Sequence, residues 1–311
     1  MTGIARFGSF YVGGRDLVLS GRPTFEIAFT DTATKNFDPN GLYRVEQAYV
    51  QYFEPIEHGG CLPLVLLHGG GMAGTMWEQT PDRRSGWAQY FVHDGFTVNV
   101  VDNVERGRAG WVPFNDVWEG PPILRNAEEA WSLFRIGDAA HFEERRAFPG
   151  QRFPVRDLQM LVAQQVPRWL TNNPLSIRTF ASVLQEIGPC AVVAHSHGGY
   201  IALKAASACP GIVKQMVLVE SSGFVGRDEA SSLRGTSLLF VYGDHLGATS
   251  LWRDLVRQAQ AFRGHLTELG VASTWLEMPK EGVRGNSHML MMDDNSDLIA
   301  ARIANWLRET R

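Results

Sequence analysis

Short, continuously apolar runs recur along the chain and alternate with stretches whose pattern is typical of helices. A short run that is apolar throughout predicts a strand buried on both faces. The alternation spans residues 43–103 and resumes from residue 176 onward. It predicts an α/β fold with a mostly parallel central sheet and helices on both faces. The strand-like runs are 64–67, 190–194, 215–219, 238–242 and 274–278.

The stretch between these two regions, residues 105–174, has a different pattern. It is rich in turn-forming and aromatic residues, and only 128–136 and 155–169 are typical of short helices. We interpret it as an insertion within one domain that spans residues 1–311. An amphipathic helix over 298–307 is predicted near the end of the sequence.

Composition indicates one large globular protein. The 311 residues are 44% hydrophobic and 20% charged, which is enough to bury a sizeable core. The formal net charge of −4 gives no basic footprint for nucleic acid and no polybasic patch for a membrane surface. No run of about 18 apolar residues occurs and no signal pattern follows Met1, so we expect a cytoplasmic protein without a membrane span. The three cysteines are too few for a disulfide framework.

The most informative motif is the pentapeptide Ala194–Gly198, with Ser196 at its centre. It follows a predicted buried strand and precedes a small-residue, helix-forming run over 198–206. A serine hydroxyl is an effective nucleophile only where it is exposed, near a base and near N–H groups that can hold an oxyanion. A tight strand-to-helix turn supplies that exposure and needs small residues two positions before and after the serine, here Ala194 and Gly198. We therefore interpret Ser196 as a nucleophile.

A second motif, His68–Gly71, follows the apolar run 64–67. A His-Gly-Gly-Gly segment after a strand is typical of an oxyanion hole, since glycines let backbone amides turn toward a carbonyl oxygen. We expect the amides of Gly70 or Gly71, together with that of His197, to be the donors. A phosphate-binding loop would continue with Gly-Lys-Ser or Gly-Lys-Thr, which this segment lacks. The two motifs together favour an acyl-transfer hydrolase.

His288 is the candidate for the general base. It lies in a turn-rich loop between the strand-like run 274–278 and the terminal helix, after the serine in chain order. His195 and His197 are nearer in sequence, but neighbours of a serine on such a turn point away from it, which favours packing roles. No cysteine or carboxylate cluster accompanies this pair, so we expect no metal and no cofactor.

Two carboxylates follow strand-like runs between Ser196 and His288, and both stay open as the triad acid. Glu220 comes directly after one run, and Asp244 follows the next run and a glycine. Most hydrolases of this kind place the acid in a Gly-x-x-Asp spacing, but Leu246 occupies that position here. Glu220 ends the earlier strand and has the longer reach, so we favour Glu220 and keep Asp244 as the alternative.

With these motifs the chain resembles the α/β-hydrolase fold superfamily, and more narrowly the atypical bacterial esterases whose triad acid is a glutamate after the sixth strand. The separations of Glu220 and His288 from Ser196, and the N-terminal segment Gly8–Gly14 ahead of the first strands, carry the narrower resemblance. Those esterases have bulkier residues in the oxyanion loop, where this chain has successive glycines.

The resemblance implies hydrolysis of a small carboxylic ester by Ser196, His288 and Glu220 through an acyl-enzyme. It also implies that the insertion 105–174 is a cap over the active site. Neither a cofactor nor a metal is required, no nucleic-acid or membrane partner is expected, and a homodimer is left open. Aromatic residues of the insertion are then candidates for an acyl or alcohol pocket: Trp111, Trp118, Trp131, Phe134 and Phe142.

Two other interpretations stay open. The same triad chemistry on this fold also cleaves amides, lactones or carbon–carbon bonds. A protein with this fold can also serve as a non-catalytic ligand-binding protein. The presence of Ser196, Glu220 and His288 weighs against the non-catalytic interpretation, because such proteins usually lose a member of the triad.

Overall fold

The computed structural model describes residues 3–114 and 118–310, which contain two β-sheets and eight α-helices. The strands are β1 (Ile4–Leu19), β2 (Phe25–Thr30), β3 (Ala33–Phe37), β4 (Gly41–Pro55), β5 (Leu64–Leu67), β6 (Val98–Asp102), β7 (Cys190–His195), β8 (Val213–Val219), β9 (Ser237–Tyr242) and β10 (Ser273–Glu277). The helices are α1 (Trp87–His93), α2 (Ala127–Leu133), α3 (Leu158–Ala163), α4 (Asn173–Ile187), α5 (His197–Ala208), α6 (Arg227–Ser231), α7 (Ser250–Glu268) and α8 (Ser296–Glu309).

The larger sheet has the strand order β1-β4-β6-β5-β7-β8-β9-β10, and β2 and β3 form a separate hairpin. The strands from β6 to β10 pair in parallel, whereas β4 runs antiparallel to both β1 and β6. Parallel pairing brings the carboxyl ends of β5, β7, β8 and β9 to one edge of the sheet, where ligands bind in α/β folds. The predicted mostly parallel α/β sheet is confirmed.

The central strands are apolar throughout because their side chains alternate between two cores. In β7, Ala191 and Val193 pack in the core that includes residues of α1 and α8. Val192 and Ala194 pack in the opposite core, with residues of α4, α5 and α7. A strand with a core on each face has no solvent-facing position, which explains the continuous runs in the sequence.

The N-terminal segment extends the sheet further than the sequence indicates. Gly8–Gly14 does not precede the first strands but lies inside β1, which pairs with β4 along most of its length. Gly14 has a positive φ of 78°, and a Cβ there would lie 2.6 Å from the carbonyl oxygen of Val45. Glycine therefore allows the close backbone approach that keeps this long antiparallel pair together.

Helices in the 105–174 segment are shorter than the sequence predicts. The first of them, α2, stops early because Arg135 has a left-handed backbone with a φ of 55°. The second predicted helix gives only a short 3-10 turn and α3, and Pro167 then disfavours helical backbone at the residue before it. Arg168 instead pairs with Ile123 in an isolated antiparallel bridge.

Candidate active site

Ser196 lies at the turn between β7 and α5, and its backbone is strained. Its φ of 52° and ψ of −121° are unusual for a residue with a side chain. Its N–H donates a hydrogen bond to the carbonyl oxygen of Val219, at 2.9 Å, which fixes the turn to the end of β8. A Cβ on Gly198 would collide with the carbonyl oxygen of His68 and lie 3.1 Å from that of Leu67, so only glycine lets α5 approach the end of β5 this closely. The turn leaves Ser196 partly exposed at the sheet edge.

Glu220 and His288 form a buried, hydrogen-bonded pair at the same edge. Glu220 directly follows β8, whose last residue pairs with His195 of β7, so it lies beside Ser196 across the sheet. Oε2 of Glu220 accepts a hydrogen bond from Nδ1 of His288 at 2.6 Å. The bond places the ring proton on Nδ1, which leaves the lone pair of His288 on Nε2.

Arg135, a residue that the sequence analysis did not single out, holds the other side of Glu220. Its Nη1 and Nη2 donate to the two carboxylate oxygens at 2.7 and 2.5 Å, and the N–H of Gly243 donates to Oε1 at 2.7 Å. The Nε of Arg135 donates to the carbonyl oxygen of Asp244 at 2.8 Å, and its guanidinium lies 4.3 Å from the ring centroid of Trp252. Both oxygens of Glu220 are therefore fully engaged, in a position with no solvent exposure.

This environment sets the charges of the pair. Burial raises the pKa of Glu220, but the charge of Arg135 and the hydrogen bonds from His288 and Arg135 outweigh it and lower the pKa to about 2. Burial lowers the pKa of His288 below its usual 6.5, which the hydrogen bond to Glu220 opposes and the charges of Arg135 and Arg125 reinforce. An ionised carboxylate beside a neutral imidazole is the state from which a histidine can act as a base.

Asp244, the alternative acid, makes its hydrogen bonds elsewhere. Its Oδ2 accepts from the N–H of Gly285 at 2.9 Å, and its Oδ1 accepts from the N–H of His245 at 2.7 Å. Its own N–H donates to the carbonyl oxygen of Asn286 at 2.8 Å. Asp244 therefore holds the loop that leads to His288 and does not contact the imidazole.

Two further buried side chains hold the loop that carries His288. Nε2 of His195 donates to the carbonyl oxygen of His288 at 3.0 Å, and the two ring centroids lie 4.4 Å apart. Asp293 accepts from the N–H and the hydroxyl of Ser287 at 2.8 and 2.7 Å and from Nδ2 of Asn286 at 2.9 Å. Burial raises the pKa of Asp293 to about 7.

The loop after β5 presents backbone N–H groups without acceptors. The amides of Gly70, Gly71 and His197 donate to no residue in the described part of the chain. Gly71 has a φ of 75°, a left-handed conformation that glycine adopts readily. Unpaired amides on a glycine loop and at a helix N-terminus are the donors that an oxyanion hole requires.

Two histidines hold the elements that carry these amides. Nε2 of His68 accepts from the N–H of Asn103 at 3.2 Å, so the ring proton is on Nδ1 and is donated to the carbonyl oxygen of Gly69 at 2.9 Å. Nε2 of His197 lies 2.7 Å from Oδ1 of Asn173, at the start of α4. Burial, reinforced by nearby arginines, lowers the pKa of His68 to about 4 and that of His197 to about 3, so both rings are neutral.

The predicted pocket aromatics occupy separate places. The ring centroid of Phe134 lies 5.5 Å from that of His288. Trp131 is fully buried and donates to a backbone carbonyl within the 105–174 segment. Trp118 stacks on Trp169 with the ring centroids 4.9 Å apart, and Trp111 meets Trp169 edge to face at 5.3 Å. The three rings line a surface cleft. The assignment of these four residues to a substrate pocket stays a prediction.

The described residues were also searched for metal ligands and membrane spans. Within residues 3–114 and 118–310, no cluster of three or more histidine, cysteine or carboxylate side chains is arranged to hold a metal ion. Over the same ranges, no helix combines the length and the apolar character that crossing a bilayer needs.

Comparison with known proteins gives matches along most or all of the chain. A bacterial esterase of known structure has a TM-score of 0.86 and 29% identity, covering 100% of this chain and 97% of its own. A fungal protein (Fungal sp., strain ATCC 74256) described as probable secreted lipase phiG is 23% identical, covering 89% of this chain and 90% of the relative. A proline iminopeptidase from Mycobacterium smegmatis shares the fold, with a TM-score of 0.50 and 14% identity over 93% of this chain and 98% of its own. No family model matches.

The strand order, the strained serine turn and the likeness to the bacterial esterase show that the chain has the α/β-hydrolase fold. The likenesses to an esterase and to a lipase make it a hydrolase of the carboxylesterase type. The predicted fold and enzyme class are thereby confirmed. Without the separate hairpin, β8 is the sixth strand of the sheet in chain order, and Glu220 follows it directly.

The expected cytoplasmic location is wrong. It was based on the lack of a long apolar run and of a signal pattern after Met1, whereas a curated relative that matches most of the chain is described as a probable secreted lipase. Sequence near one end says little about where a hydrolase works, and this finding overturns the expectation.

Proposed function

We propose that the protein hydrolyses small carboxylic esters through an acyl-enzyme, with Ser196 as nucleophile, His288 as base and Glu220 as acid. The observation that carries the proposal is the buried 2.6 Å hydrogen bond from Nδ1 of His288 to Glu220, at the same sheet edge as the strained Ser196 turn. An oriented imidazole next to an exposed serine hydroxyl is the minimal arrangement for acyl transfer.

In the first half of the reaction, Nε2 of His288 takes the proton of Ser196 as its oxygen attacks the ester carbonyl carbon. The imidazolium that forms is stabilised by Glu220, which stays ionised because its pKa is about 2. The carbonyl oxygen becomes an oxyanion and accepts hydrogen bonds from the amides of Gly70 or Gly71 and of His197. The bond to the alcohol then breaks, and the alcohol leaves with the proton from His288.

In the second half, water takes the place of the alcohol. Nε2 of His288 removes a proton from the water, whose oxygen attacks the acyl carbon bound to Ser196. The second tetrahedral intermediate uses the same amides and then collapses, which releases the carboxylic acid and returns the proton to the serine oxygen. Neither a metal nor a cofactor has a part in these steps.

We also propose that the 105–174 segment acts as a cap whose position is coupled to the acid. The support is Arg135, which belongs to this segment and donates two hydrogen bonds to Glu220. Phe134, the residue before it, places its ring against His288, and its carbonyl oxygen accepts from the N–H of His288 at 2.8 Å. A cap that contacts both partners of the serine can affect catalysis when it moves.

The test is hydrolysis of p-nitrophenyl acetate and butyrate by the wild-type protein and by Ser196→Ala, with Ser222→Ala as a control that removes a hydroxyl nearby. Loss of the nucleophile should lower kcat by ~10⁴- to 10⁶-fold, and the melting temperature should stay unchanged because only a partly exposed hydroxyl is lost. The control should retain wild-type kcat. Retention of a tenth or more of the activity by Ser196→Ala would refute the proposal. No turnover by the wild type on any ester would favour the non-catalytic interpretation.

A further inference from the structure

Each of the three successive glycines after His68 faces a side chain that has at least one buried polar atom without a hydrogen-bond partner. A Cβ on Gly69 would lie 2.6 Å from Nδ1 of His195, and one on Gly71 would lie 3.2 Å from Oε1 of Gln165. A Cβ on Gly70 would collide with Nη1 of Arg168. The atoms Nδ1 of His195, Nε of Arg168 and both amide atoms of Gln165 are buried and have no partner among the described residues. The loop that we assign to the oxyanion is thus surrounded by unused hydrogen-bonding groups.

Arg168 is the charged member of this group, and its position is fixed by its backbone. Its N–H and carbonyl both bond to Ile123, at 3.0 and 2.8 Å. Its guanidinium donates no hydrogen bond and has no carboxylate within ion-pair distance in the described part of the chain. Burial, together with the charge of Arg125, outweighs the opposing charge of Glu105 and lowers the pKa of Arg168, so the positive charge is held here at an energetic disadvantage. A half-buried guanidinium whose Nε is fully buried and unpartnered is unusual, and it indicates that a ligand supplies the acceptors.

The neighbouring arginines already have carboxylate partners. Arg106 pairs with Glu105 at 3.4 Å, and Arg125 pairs with Glu129 at 3.2 Å. Glu105 also accepts from the N–H of Trp169 at 3.1 Å, so it is committed within the protein. Arg168 is therefore left with one uncompensated positive charge beside the oxyanion loop. A single carboxylate would balance it.

The geometry points to a subsite, formed by Arg168 with Gln165, that binds a carboxylate of the substrate close to the scissile ester. The planar guanidinium can donate two parallel hydrogen bonds to a carboxylate, and Nε2 of Gln165 is a further buried donor without an acceptor. Because Arg168 lies against Gly70, the carboxylate would lie only a few atoms from the carbonyl carbon. The substrate class is then a monoanionic ester, such as a half-ester of a short dicarboxylic acid. This inference rests on the proposed ester hydrolysis at Ser196.

The test compares monoethyl succinate with diethyl succinate, two esters that differ by one negative charge, with ethanol release as the measurement. The wild type should have the higher kcat/KM on the monoester. Arg168→Gln should lower kcat/KM for the monoester by ~10- to 100-fold, chiefly through KM, because a charge-assisted hydrogen bond is lost. The diester should change less than about threefold. Arg156→Gln is the matched control, since it removes the same charge from an exposed position in the same segment and should leave the ratio of the two esters unchanged.

Three results would overturn the inference. The first is equal kcat/KM of the wild type for the charged and the neutral ester, both in this pair and in the pair described next. The second is an equal fall in kcat for both esters in Arg168→Gln, which would mean that Arg168 serves the oxyanion and not a carboxylate. The third is inhibition of diester hydrolysis by inorganic phosphate and not by acetate, which would make the site a phosphate site. Hydrolysis of the diester by the wild type and its loss in Ser196→Ala test the proposed function separately. If both are observed, a failed selectivity test contradicts only the carboxylate subsite.

A second pair of esters shows which side of the scissile bond carries the charge. Acetoxyacetate has its carboxylate on the alcohol side, and ethyl acetate is its neutral counterpart. If Arg168→Gln reduces the preference for the charged ester in the succinate pair alone, the carboxylate binds as part of the acyl group. If it does so in the acetate pair alone, the carboxylate binds as part of the alcohol group. Dependence in neither pair overturns the inference.

Discussion

The two sides of the candidate active site differ in how completely their polar groups are paired. On the acid side, both oxygens of Glu220 accept hydrogen bonds from His288, Arg135 and the backbone of Gly243. On the oxyanion side, the amides of the glycine loop donate to no described residue, and the guanidinium of Arg168 has no hydrogen-bond partner. One side is complete within the protein, and the other lacks acceptors.

This difference indicates that the two sides have different roles in catalysis. Groups that must hold a fixed geometry through every turnover are paired by the protein itself, which prevents rotation and fixes their protonation state. Groups that act on the substrate keep their donors unpaired, so that binding and the transition state supply the acceptors. The comparison predicts that changes on the acid side alter orientation, charge and stability, whereas changes on the oxyanion side alter turnover and selectivity.

The largest effect is expected for the acid itself. Glu220→Gln should lower kcat by ~10⁴-fold, because the amide can donate to Nδ1 of His288 and thereby favours the wrong tautomer. Asp244→Asn should have a mild effect, since its carboxylate bonds to loop amides and not to the imidazole. Steady-state kinetics on p-nitrophenyl butyrate distinguish them. A dead Asp244→Asn with a nearly normal Glu220→Gln would reverse the assignment.

The next effect concerns the ion pair between the 105–174 segment and the acid. Arg135→Met leaves the buried charge of Glu220 without its main counter-charge, so the variant should lose about 3–5 kcal/mol of stability. The pKa of Glu220 and that of His288 should both rise, because the charge of Arg135 lowers each of them. The acid limb of the pH–rate profile should therefore move to higher pH.

A double variant sharpens this prediction. Arg135→Met combined with Glu220→Gln removes both charges, so much of the lost stability should return while activity stays low. Thermal and urea unfolding measure the stability. A single Arg135→Met variant as stable as the wild type would mean that the ion pair is not needed to hold Glu220.

A smaller effect is expected on the oxyanion side. Gly71 has a φ of 75°, which a β-branched residue rarely adopts, so Gly71→Val should turn the loop amides away from the oxyanion. The loss of one donor corresponds to about 3 kcal/mol, or ~10²-fold in kcat, with little change in KM. Stopped-flow measurement of acylation isolates this step. An unchanged acylation rate would place the oxyanion donors outside this loop.

The smallest effect concerns the pH dependence of kcat/KM in the wild type, and in particular the pH at which activity falls on the acid side. The base must be neutral, so kcat/KM rises with pH through the pKa of His288 and is flat above it. Burial lowers that pKa below 6.5, and the charges of Arg135 and Arg125 reinforce the shift. The half-maximal rate should therefore lie below pH 6.5. A limb well above pH 6.5 would contradict the buried, neutral histidine.

The sequence predicts correctly those elements whose pattern is contained in a few neighbouring residues. The run Leu64–Leu67 coincides with β5, and the runs before Ser196 and Glu220 correspond to β7 and β8, because a strand buried on both faces must be apolar throughout. Ser196 and His288 are assigned from short motifs and chain order, and their catalytic roles stay predictions. Glu220 was chosen over Asp244 by reach and spacing, and the structure brings Glu220, not Asp244, to the imidazole.

The contacts that residues of the 105–174 segment make with the candidate site could not be predicted in this way. Arg135 meets Glu220 across 85 positions of sequence, and nothing in its neighbours indicates an ion pair. Gln165 and Arg168 were missed for a similar reason, since they lie in the part of a predicted helix that does not form, after the end of α3 and around Pro167. A single arginine in an aromatic, turn-rich stretch has the same local pattern whether it faces solvent or a buried carboxylate.

The central claim, covalent catalysis at Ser196, is tested most directly by identifying the residue that a serine-directed fluorophosphonate modifies. Intact mass should show one adduct per chain, and peptide mapping should place it on Ser196, in parallel with complete loss of ester hydrolysis. Glu220→Gln should react much more slowly, and Ser196→Ala should not react. Full ester hydrolysis by a protein that carries no adduct, or an adduct on another residue with loss of activity, would contradict the account.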